Sequence, residues 1–157
     1  MENRKKLHDA GLAVIFVGIL NLFMFSATFI SGTIDGSAAE ALATVAADEI
    51  GVVKAVLGIT VALMVLPIVA DILLGVKALN VSITPKADKG YITVATVFMV
   101  LSVLSTIYQV YALFGGNAPV MEVVLNTASS TLSVCVYALF IKAANAVRKD
   151  VLGEKIQ

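Results

Sequence analysis

At 157 residues, with 59% apolar and only 14% charged side chains and a mean hydropathy of +0.97, the chain is too apolar for a soluble domain, which carries charge on about a quarter of its residues. Its formal net charge is zero, so it offers no overall field for nucleic acid or another polyanion. One cysteine, Cys135, and one histidine, His8, exclude an intramolecular disulfide and leave no ligand cluster for zinc or haem, so neither a cofactor nor a metal is expected.

Four apolar stretches follow in chain order, at about 10–31, 51–79, 90–114 and 120–146. Each is long enough to span. Twenty-two helical residues rise about 33 Å, against a hydrocarbon core about 30 Å thick. The predicted fold is therefore all-α, a single membrane domain of four transmembrane helices over 1–157. The first stretch follows Arg4, Lys5 and Lys6, with small residues at 37–39. Its apolar run exceeds a signal-peptide h-region, so it reads as a retained membrane helix. The second stretch is longer than a span needs, which predicts tilt, a kink or an emergent end.

The connectors differ in character. The outer loop, 32–50, carries Asp35, Glu40, Asp48 and Glu49 and no basic residue, and its alanine-rich 37–47 is compatible with a short helix. The central loop, 80–89, carries Lys86 and Lys89 around Pro85, and the third connector is the short GGNAP at 115–119. Ten of the eleven basic residues fall on one side: Arg4, Lys5, Lys6, Lys77, Lys86, Lys89, Lys142, Arg148, Lys149 and Lys155. By the positive-inside rule that side is cytoplasmic, which predicts a multi-pass membrane protein with both termini and the central loop inside. Only Lys54 lies near the other face, with Asp48, Glu49 and Glu122 as available partners.

The two halves share faint markers. Asp9-Ala10-Gly11 introduces the first helix as Asp88-Lys89-Gly90 introduces the third, and KALN at 77–80 closes the second as KAAN at 142–145 closes the fourth. Two hairpins repeated in the same orientation would give this pattern, provided the first outer loop holds an insertion. With its basic start, two hairpins and a central loop reading LLGVKALNVSITPKADKG, the chain resembles the small four-helix integral membrane proteins of bacterial genomes that carry no assigned activity. That resemblance implies a bacterial inner or plasma membrane and brings no functional residues with it.

Asp71 is the most informative position. It precedes Lys77 by six residues, about 9 Å along a helix, which puts a carboxyl group inside the hydrocarbon. Such a group costs a few kcal/mol to insert and marks a candidate functional site. Lys142 is the predicted partner, with the hydroxyls of Tyr91, Thr93 and Thr96 as alternatives. Two readings stand side by side: a proton or cation site, and a structural pair that locks two helices. Pro67, four residues earlier, removes a backbone donor to Leu63 and predicts a kink beside the acid.

Polar residues of the last two helices fall at helical spacing: Ser102, Ser105, Thr106 and Gln109 on one, and Asn126, Ser130, Ser133 and Tyr137 on the other. The two faces are expected to meet and hydrogen-bond. The other reading of these faces is a hydrated path with Gln109 and Asn126 at its outer mouth. Gly51, Ala55, Gly58 and Ala62 form a small-residue seam on the second helix, read as a packing face, and Asn21 is isolated at mid-depth on the first, expected to point inward. No Walker loop, HExxH, GxSxG or catalytic carboxylate pair occurs. The expectation is accordingly a non-enzymatic protein whose partners are the bilayer and another membrane protein or a second copy, with no nucleic acid. The alternative is a homo-oligomeric transporter or channel using Asp71 beside Pro67. A third class, lipid or quinone association, has no headgroup pocket visible in the sequence.

Overall fold

The computed structural model describes residues 1–34, 50–114 and 120–154. Within them lie four helices, α1 (Glu2–Ile34), α2 (Ile50–Ile83), α3 (Gly90–Phe114) and α4 (Val120–Glu154). Each carries a stretch long and apolar enough to cross a membrane, and the four pack as an all-α bundle. The helices outrun the apolar stretches. α1 begins at Glu2, α2 continues to Ile83 and α4 to Glu154, because nothing in these polar flanks breaks a helix. Apolarity marks where lipid would begin, and the helix ends elsewhere. At 34 and 35 residues, α2 and α4 rise about 51 and 52 Å, well beyond a hydrocarbon core. The central loop is correspondingly short, 84–89. Most of the outer connector, with the helix expected at 37–47, and the turn at 115–119 lie outside the described residues.

The side chains fix the topology. Asn3 Nδ2 donates to Asp150 Oδ2 at 2.9 Å, which puts the start of α1 beside the end of α4. Gly11 faces Gly75 and Ala78 while Gly18 faces Ile68 and Asp71, so α1 and α2 run antiparallel and the central loop shares the end that holds both termini. α1 packs along α2 and α4, and α3 packs along α4, whereas α2 and α3 scarcely meet. The helices are therefore ordered α2–α1–α4–α3, as a horseshoe with an open side.

Glycine sets the closest approach. A Cβ at Gly11 would stand 2.9 Å from Ala78 Cβ, and one at Gly75 would stand 2.7 Å from the Gly11 carbonyl and collide with the Ile15 side chain. In lipid no hydrophobic drive pulls helices together, so this backbone proximity supplies the dispersion contact that does. The seam expected at Gly51, Ala55, Gly58 and Ala62 is a different matter: Ala55, Gly58 and Ala62 are exposed, and nothing lies within 4 Å of a Cβ placed on Gly58.

The packed core lies in the half of the bundle nearest the termini. It is formed by Leu7 and Val14 of α1, Leu74 and Ala78 of α2, Tyr91 and Ala95 of α3, and Phe140 and Ala144 of α4. Tyr91 meets Phe140 edge to face, with ring centroids 6.0 Å apart and planes at 88°, and Phe98 stacks on Tyr137 at 6.3 Å. Phe16, Phe23, Leu73, Leu104, Ile107 and Leu139 point outward, as helices that face lipid require. α3 opens on Asp88, whose Oδ1 accepts the Gly90 N–H at 2.9 Å, and Lys77 Nζ lies 3.7 Å from Asp88 Oδ2. The Gly90 amide first, and Lys77 with it, hold the Asp88 carboxyl below its usual range. Asp9, its counterpart in the proposed repeat, sits inside α1, so the two markers do different work.

Candidate functional site

The polar centre of the bundle is built on Asp71. α2 remains helical through Pro67 and turns Asp71 inward, where only 2% of the residue is exposed. Gly18 makes room for it: a Cβ there would lie 2.8 Å from Asp71 Cβ. The Tyr137 hydroxyl of α4 donates to Asp71 Oδ1, and the Asn21 side-chain amide of α1 lies beside the same carboxyl. Asn21 Oδ1 in turn accepts from Ser129 Oγ of α4 at 2.8 Å. One carboxyl thereby joins three helices through neutral donors. An acidic group in hydrocarbon needs such donors, because no water is there to replace them.

Lys142, the partner expected from charge, does not take part. It is exposed and lines a groove between α1 and α4 on the outside of the bundle. Tyr137 and Lys142 are five residues apart, about 140° around a helix, so the face that delivers the tyrosine to Asp71 turns the lysine away. The alternatives on α3 are also occupied or elsewhere: Thr93 and Thr96 donate to the carbonyls of Lys89 and Ile92, and the Tyr91 hydroxyl is buried with no hydrogen-bond partner among the described residues.

The polar faces of α3 and α4 do meet. Gln109 Nε2 donates to Ser105 Oγ at 3.0 Å and to Ser130 Oγ at 3.3 Å, while its buried Oε1 has no partner among the described residues. Its two partners, Ser105 and Ser130, line a pocket of about 240 Å³ together with Asn21, Pro67, Ser102, Ser129 and Ser133. Asn126 does not join it. It is exposed on α4, and among the described residues only its backbone carbonyl is engaged, by Ser130 Oγ at 2.9 Å. Thus Asp71, Asn21, Pro67 and Gln109 of the expected set converge on the interior, while Lys142 and Asn126 face outward.

Missed from sequence are Ser129, the role of Tyr137 as the partner of Asp71, and the triplet of Gly11, Gly18 and Gly75. Gly11 and Gly18 are seven residues apart and so share a helix face, a signal that was there to be read. Chemically, the cluster can hold or exchange a proton at the Asp71 carboxyl and can bind a small polar guest through hydroxyl and amide groups. Among the described residues it contains no nucleophile beside a base. His8 Nδ1 and Asp9 Oδ1, 3.4 Å apart, are both exposed, and no group of three His, Cys, Asp or Glu side chains among the described residues is placed to share a metal ion. No known protein family, curated protein or solved structure matches the chain.

Proposed function

We propose that this chain acts within the bilayer by lateral association with other membrane helices, as an accessory, scaffold or immunity-type subunit or as its own oligomer, without enzymatic chemistry. One observation carries the reading: Ala55, Gly58 and Ala62 form a small-residue stripe on α2 that is exposed, with no described residue packed on Gly58. Their spacing keeps them within about 60° of one another around the helix. Small residues at this spacing let a second backbone come close enough for dispersion and Cα–H contacts, the main source of helix affinity in lipid. In the same reading the end bearing both termini and the 84–89 loop faces the cytoplasm of a bacterial inner membrane, in keeping with its basic residues.

The test is intact-mass measurement of the tagged protein extracted from its native membrane in a mild detergent or nanodisc. A stoichiometric partner or a homo-oligomer that Gly58→Leu disperses supports the proposal. A bare monomer, or a complex that survives Gly58→Leu, refutes it.

The cavity of about 240 Å³ beside the Asp71–Asn21 pair favours a second reading, a small transporter or channel built from several copies. α2 stays helical through Pro67, so the reading rests on the buried acid and the pocket rather than on a broken helix of the kind many transporters use. Proton or cation flux into liposomes that Asp71→Asn abolishes, with folding intact, would select it. Wild-type flux from Asp71→Asn would remove it, since no other acid of the described spans is buried among the helices.

A further inference from the structure

A groove of about 490 Å³ runs between α1 and α4 on the outside of the bundle, at the end that holds both termini. Its volume is within the range of small-molecule sites. Lys6 and Lys142 border it, with Asn3 and Asp9 also at its polar end, and Ala13 and Leu139 extend it as an apolar trough toward the membrane interior. The α1 wall runs from Asn3, Lys6 and Asp9 to Ala13, while the antiparallel α4 wall sets the single charge of Lys142 between Ala143 and Ala146 on the terminal side and Leu139 and Val136 toward the interior. Inward of Lys142 both walls are apolar, so a charged mouth opens into an apolar trough, as the two ends of a phospholipid require.

The charges say which kind. Lys142 is within a candidate membrane span and has no ion-pair partner among the described residues, so its ammonium must reach up to water or meet an anion. Lys6 is held by Glu2 at 2.6 Å, but both side chains are exposed, and such a pair is readily exchanged. Asp9 is the acid in the groove, and its Oδ1 is 3.4 Å from His8 Nδ1. Asn3 gives its Nδ2 to Asp150, which leaves the carbonyl oxygen free to accept. Two ammonium groups beside two acceptor side chains suit a phosphodiester whose headgroup carries hydroxyls.

We propose that this groove binds one anionic phospholipid, its phosphate between Lys6 and Lys142, its headgroup hydroxyls on Asp9 and Asn3, and an acyl chain along Ala13 and Leu139. Basic pockets between membrane helices near the interface recognise anionic headgroups in this manner. The site is separate from the Asp71 cluster and from the α2 stripe, and does not depend on either.

The experiment is native mass spectrometry of the full chain equilibrated with phosphatidylglycerol or phosphatidylcholine. Retention of one phosphatidylglycerol in preference to phosphatidylcholine is expected, with occupancy falling about fivefold for each lysine removed in Lys6→Gln and Lys142→Gln, the usual worth of a basic residue at an anionic surface. The charge-matched pair Lys5→Gln and Lys149→Gln should leave it unchanged. Equal retention of the two lipids, or equal loss in the charge-matched pair, overturns the proposal. All four lysines are exposed, and helicity by circular dichroism, with Lys→Arg variants restoring retention, separates loss of the site from loss of the fold.

Discussion

Tyr137 donates its hydroxyl hydrogen to Asp71 from α4 to α2, across the bundle and across 66 residues of sequence. Tyr137→Phe removes that donor and leaves Asn21 as the nearest polar neighbour of a buried carboxyl. The expected loss is about 1–2 kcal/mol, between the cost of an unmet buried polar group and the smaller values typical of hydrogen bonds in membranes. Reversible unfolding in mixed micelles measures it. Combined with Asp71→Asn in a double-mutant cycle, the pair should show coupling of about 1 kcal/mol, and strict additivity would mean the contact adds nothing.

Two glycines of α2 should respond in opposite ways. Gly75→Ala forces a methyl against Ile15 and the Gly11 carbonyl and should cost about 1–3 kcal/mol of monomer stability. Gly58→Ala meets open space and should stay within about 0.5 kcal/mol. Thermal unfolding of both variants as detergent-solubilised monomers decides the point.

Asp88 provides a pH dependence. Its carboxyl is held below the usual 3.8 by the Gly90 amide and then by Lys77. A lowered carboxyl contributes stability that is fully present above its unfolded pKa and fades as pH falls through the folded value. Asp88→Ala should therefore lower the melting temperature slightly at pH 7, and the gap to wild type should close as the pH is taken below about 3.8, near the ordinary pKa of an aspartate. A gap that persists at pH 2.5 would show that packing, and not the charge, is at stake.

Orientation is accessible to cysteine labelling in intact cells on a Cys135→Ser background. Ser82 is a poor reporter because it is buried and donates to the Leu79 carbonyl at 2.7 Å. Thr84 is exposed just beyond α2. Thr84→Cys should be protected from an impermeant reagent and Ser37→Cys should react. The inverse pattern would put the basic end outside.

The helices were legible because a bilayer requires about twenty apolar residues, and composition records that requirement directly. The meeting of α3 with α4 was legible too, since the serines and Gln109 recur at helical spacing and Gln109 does reach Ser130. Helix ends were not, because Glu2, Lys149 and Asp150 are as compatible with helix as their apolar neighbours. The partner of Asp71 was not legible for a different reason. Opposite charge suggested Lys142, but the rotation of α4 is set by Phe140, Ala144 and Val147 entering the core, and that rotation delivers Tyr137 inward. The small-residue stripe was read as a packing face, but Ala55, Gly58 and Ala62 are exposed and no described residue packs on Gly58, because small residues at helical spacing do not say whether their neighbour is in the same chain.

The separation between Asp71 and Tyr137 also sets an order of events during synthesis. At about 5–20 residues per second, the ribosome needs roughly 3–13 s to add the 66 residues that divide them. Asn21 is already made when Asp71 emerges. The first hairpin can thus enter the lipid with its acid partly satisfied from within, and the second then docks onto a carboxyl still open on one side. A nascent chain arrested before Tyr137 would leave that carboxyl without its hydroxyl donor.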